Sequence, residues 1–85
     1  MLVRTLAVPT TATNLATFLG DATIRGKGVA LQAPAVNAEN VFFGDAAMQP
    51  AFVPPGGSSD VMPIAVLSDL YLLGTVGDNV IVMVF

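Results

Sequence analysis

The chain has 85 residues, of which 54% are hydrophobic; three are Lys or Arg, six are Asp or Glu, the net charge is −3, and Cys and His are absent. A domain this small buries only about 60% of the surface its unfolded chain exposes, and without Cys or His it has no disulfide or Cys/His zinc site to compensate. Nine charges stand where about 21 would be usual, three cations are too few for a phosphate backbone, and the longest apolar run, residues 80–85, falls far short of the roughly 18 residues of a spanning helix.

These numbers predict one β domain over residues 1–85, with no nucleic-acid partner, no membrane partner and a surface that other protein covers. Arg4 interrupts the short apolar start and no small-residue cleavage site follows a longer one, so no secretory signal is expected and synthesis in the cytosol is.

In chain order, residues 2–8 alternate as a strand that stops at Pro9. Residues 14–19 place Leu15, Phe18 and Leu19 at helical spacing, with Thr13 or Asn14 to cap the start and Gly20 to end it. An exposed loop over 21–27 holds Asp21, Arg25 and Lys27. Strands follow at 28–33, 40–44 and 51–53, and then at 61–67, 69–75 and 79–85, which are rich in β-branched and aromatic residues. Gly77-Asp78-Asn79 reads as a hairpin turn, making the last three strands an antiparallel meander. Pro63 cannot donate to a ladder, so its strand belongs at an edge or carries a bulge. The fold class expected is all-β with at most one short helix: a small antiparallel β-sandwich or jelly-roll-like barrel with a C-terminal meander.

Residues 79–85 carry the strongest signal. Val80, Val82 and Val84 point one way and Ile81, Met83 and Phe85 the other, so both faces are apolar and each calls for a covering layer.

Chemistry is sparse. Without His or Cys the common triads cannot be built; Ser58, Ser59 or Ser68 with Lys27 lacks the turn chemistry of a Ser-Lys site. Asp60, Asp69 and Asp78 recur every nine residues and, with Asp45, would bind Ca²⁺ if gathered at one end of a sheet, but Asp is also the standard turn residue. Pro54-Pro55-Gly56-Gly57-Ser58-Ser59 lacks both a PxxP repeat and a P-loop Lys, and reads as a tight loop. The expectation is no enzyme, no cofactor and no metal. Adjacent Phe42 and Phe43 must face opposite sides of a strand. The candidate interface residues are Leu2, Phe42, Phe43, Phe52, Pro54, Pro55, Tyr71, Val82, Met83 and Phe85.

The order Asn40-Val41-Phe42-Phe43-Gly44-Asp45, the Phe52-Val53-Pro54-Pro55-Gly56-Gly57-Ser58-Ser59 segment, Leu67-Ser68-Asp69-Leu70-Tyr71-Leu72-Leu73-Gly74 and the Gly77-Asp78-Asn79 turn before an apolar last strand resemble small tailed-bacteriophage virion proteins, above all capsid decoration or cement proteins. The resemblance covers residues 40–85 and transfers no functional residue. It implies a virion subunit on the capsid exterior that bridges capsomers and stabilises the shell, with the major capsid protein and copies of itself, as a trimer, for partners. The alternatives are another phage structural subunit (tail, fibre or head-tail connector) or a small β binding module.

Overall fold

The computed structural model describes residues 2–20, 28–63 and 67–85. The loop expected over 21–27, with Lys27, and residues 64–66 of the strand expected over 61–67 lie outside the described residues.

Among the described residues seven strands form two antiparallel sheets, as expected of a small all-β chain. The first sheet orders β1 (Leu2–Ala7), β7 (Asn79–Val84) and β3 (Val29–Gln32), with β7 in the middle. The second orders β2 (Thr13–Asn14), β6 (Tyr71–Leu73), β4 (Val41–Gly44) and β5 (Ala51–Val53). One buried cluster joins them: Val29, Leu31, Val80, Val82 and Val84 from the first sheet meet Val41, Val53 and Leu72 from the second, with Leu15, Leu67 and Leu70 from the connections. The arrangement is sandwich-like, each sheet giving the shared core one face of its alternating side chains.

Local chemistry sets the punctuation. The helix expected over 14–19 forms as α1 (Leu15–Leu19): the Asn14 side chain accepts from the Thr17 N–H, and Gly20 closes it at φ 73°, where a side chain would be strained. In the Pro-Gly loop, the Gly57 N–H donates to the Pro54 carbonyl at 2.8 Å and Gly56 has φ 80°. That is a type II turn with Pro55 and Gly56 at the two positions that favour them. The loop is a tight turn, as expected.

Two expectations over the C-terminal half are overturned. The meander does not form, because β6 and β7 belong to different sheets. Residues 74–78 instead cross from one sheet to the other beside the β1–β2 connection, with the Val8 N–H donating to Asp78 and the Gly74 N–H to Pro9. Gly77-Asp78-Asn79 is thus part of a crossover rather than a hairpin turn. The strand expected over 61–67 is reduced, among the described residues, to a single bridge from Met62 to Val29 at the edge of β3. Pro63, which has no N–H, stands where pairing ends. Leu67 and Asp69 lie in a 3-10 turn (Leu67–Asp69), which also shortens the strand expected over 69–75.

Candidate interaction surface

Register defines what each sheet turns away from the core. On the first sheet, Val3 is opposite Met83, Thr5 opposite Ile81, and Ala30 and Gln32 flank β7 from the other side. The outward face therefore carries Val3, Ile81 and Met83, continued by Phe85. Val3 is 49% exposed, Phe85 45%, and Ile81 and Met83 are half-buried. The covering layer expected on this face is not found among the described residues.

The second sheet also has an apolar outward face. Phe42 is opposite Phe52 on one side and Leu73 on the other, while Tyr71 follows Leu73 on the same face. The Phe42 and Phe52 rings are 6.2 Å apart and tilted at 58°, near the edge-to-face arrangement aromatic pairs favour. Phe52 is nonetheless 54% exposed. The two apolar faces lie on opposite sides of the sandwich, and no acidic or basic side chain lies among the residues named on either.

The ten candidate residues separate by geometry. Phe42, Phe52 and Tyr71 share the outer face of the second sheet, Met83 and Phe85 that of the first, and Pro54 and Pro55 are exposed at the turn. Leu2 and Phe43 pack against the core instead. Val82 has no solvent contact at all and belongs to the core, because β7 turns this side toward the second sheet. Phe42 and Phe43 do face opposite sides, as alternation requires. Val3, Ile81 and Leu73 were missed as candidates, although their place in the alternation of paired strands would have found them.

Two of the carboxylates, Asp45 and Asp78, serve the backbone. The Asp45 side chain accepts from the Ala47 and Met48 N–H groups, each at 2.9 Å, closing its own turn. Asp78 is buried, and its two oxygens accept from Ala38 N–H at 2.9 Å and Glu39 N–H at 3.0 Å. Beside it, the Asn37 amide donates to the Asn79 carbonyl at 2.7 Å and accepts from the Asn79 N–H at 2.9 Å. This clamp pins the β3–β4 connection to the β6–β7 crossover, and each carries a strongly exposed valine, Val36 and Val76. Among the described residues, the acidic side chains do not gather into a group of three able to hold a metal ion. Ser59 is likewise structural: its Oγ accepts from the Leu31 N–H and donates to the Asp60 carbonyl.

Among the described residues no helix is long and apolar enough to cross a membrane. No protein family, curated protein or solved structure matches the chain.

Proposed function

We propose that this chain is a non-catalytic structural subunit that works by surface contact, and specifically a phage capsid decoration protein that binds the outer shell and bridges capsomers. The observation that carries the reading is the pair of opposed apolar faces, Val3, Ile81, Met83 and Phe85 on one sheet and Phe42, Phe52, Tyr71 and Leu73 on the other. Exposed apolar surface marks protein contact sites, and a sandwich with an apolar outer face on each side suits a bridging role. The sequence resemblance over residues 40–85 narrows that role to the virion. Its partners on this reading are the major capsid protein and further copies of the chain.

The mechanism is linkage: a ligand that binds only the assembled lattice raises the stability of that lattice by mass action. The test adds purified chain to capsid shells lacking it and measures co-sedimentation and the shell's dissociation temperature. Saturable binding with a higher dissociation temperature is expected. Shells that neither bind the chain nor change their dissociation temperature overturn the capsid reading, and selective incorporation into tails moves the chain to another part of the virion.

A further inference from the structure

The two sheets have four edges, and three are protected by the means that keep edge strands from pairing. β5 is three residues long and lies between Pro50 and Pro54; β2 is two residues long and runs directly into α1. The outer edge of β3 is closed by residues 56–62. Val29 and Met62 exchange backbone bonds of 2.8 and 2.7 Å, Ser59 N–H donates to Leu31 at 2.7 Å, Leu31 N–H donates to Ser59 Oγ at 2.8 Å, and Ala33 accepts from Gly56 and donates to Gly57.

β1 is the least protected of the four, with the single charge of Arg4 as its one such device. It is six residues long, contains no Pro or Lys, and among the described residues pairs only with β7. The Val8 N–H donates to Asp78 on the β7 side. Antiparallel alternation then aims the N–H and C=O groups of Leu2, Arg4 and Leu6 at β7, and those of Val3, Thr5 and Ala7 at the open edge. All three of these outward-bonding residues are exposed.

We propose that β1 pairs with β1 of a second copy of this chain, antiparallel about a two-fold axis at Thr5. This register sets Val3 opposite Ala7 of the second copy, Thr5 opposite Thr5, and Ala7 opposite Val3, so every outward backbone group of both strands is used. Centring one residue earlier sets Arg4 opposite Arg4, a like-charge pair that destabilises a sheet. Centring one residue later leaves Val3 opposite Pro9, which has no N–H. In the Thr5 register each Arg4 faces Leu6. The two three-stranded sheets join into one of six strands, and Val3, Ile81, Met83 and Phe85 of both copies lie on the same face of it. A closed two-fold dimer thus takes the place of the trimer that the resemblance implies. The pairing does not depend on the capsid reading, because it concerns the free chain.

The absence of native Cys makes the register directly testable. Directly opposed residues in a hydrogen-bonded pair have Cα atoms about 5.5 Å apart, within disulfide reach, whereas Val3 of the two copies would stand roughly 13 Å apart along the strands. Sedimentation of the native chain should give twice 8.7 kDa. On mild oxidation Thr5→Cys should form a covalent dimer, Val3→Cys alone and Ala7→Cys alone should not, and a mixture of those two should cross-link to each other. Each position is exposed, so these variants leave the core intact. A native monomer at tens of micromolar, or Thr5→Cys that cross-links no better than Val3→Cys, overturns the proposal. Shell binding by a chain that sediments as a monomer would overturn it while leaving the capsid reading in place.

Discussion

On one face of β7, Val80, Val82 and Val84 are removed from solvent by the second sheet; on the other, Ile81 and Met83 are half-buried and the strand runs on to a Phe85 that is 45% exposed. The side chains are alike in polarity and differ only in what stands across from them. An apolar face is thus a demand for a layer, and among the described residues that demand is met once. The sheet's remaining apolar surface and its open β1 edge lie next to each other, so one encounter with another protein can use both. Substitutions at three positions probe this contrast between the covered and the uncovered face.

The largest effect belongs to the covered face. Val82→Asp removes about 1.5–3 kcal/mol of side-chain burial and adds the cost of a carboxylate in a site with no partner. Together these take most of the roughly 5–15 kcal/mol that holds a domain folded. The variant should show no cooperative thermal transition by circular dichroism. A folded Val82→Asp chain would mean that the two sheets do not enclose this strand.

What the sequence made legible follows from how local each signal is. Asn14 and Gly20 mark α1 because a cap acts within one turn of chain, and Pro55-Gly56 marks its turn for the same reason. Alternation correctly separated Val82 from Met83 and Phe42 from Phe43, since it depends only on the pleat. It could not say which face meets the other sheet, and for that reason Val82 stood among the interface candidates. Nor does alternation say which strands pair. Gly77-Asp78-Asn79 has hairpin composition, but Asp78 and Asn79 engage Ala38, Glu39 and Asn37, some forty positions away, and no local pattern reports such a contact.

That clamp supplies the intermediate effect, at the start of β7 where the strand enters the core. Asp78→Ala removes the acceptor of the Ala38 and Glu39 N–H groups, and hydrogen bonds to a charged acceptor contribute about 1.5–3 kcal/mol. The expected loss is about 2–3 kcal/mol, which lowers Tm by roughly 10 °C or more in a domain of this size. Asp78→Asn keeps one acceptor oxygen and should fall between the two. A Tm for Asp78→Ala within a degree or two of the native chain would show that the two connections hold together without it.

The smallest effect on folding is expected on the uncovered face. Met83 is opposite Val3 on β1 and Ala30 on β3, with its side chain turned away from the second sheet. Met83→Asp keeps every β7 backbone bond and leaves the new carboxylate in contact with water, so the folded chain should lose only about 1 kcal/mol, chiefly the contacts Met83 makes along the sheet. Binding through this face should suffer far more, because a partner that covers it must then desolvate a charge with no counter-ion beside it. The comparison is made by thermal melting and by shell co-sedimentation on the same preparation, with Val82→Asp alongside. Near-native melting with lost shell binding is the expected pair of results for Met83→Asp. If Met83→Asp instead unfolds as completely as Val82→Asp, the two faces are equally covered within one chain and the contrast between them fails. If it melts and binds like the native chain, this face is free surface in the complex and contact must run through Phe42, Phe52, Tyr71 and Leu73 on the other side.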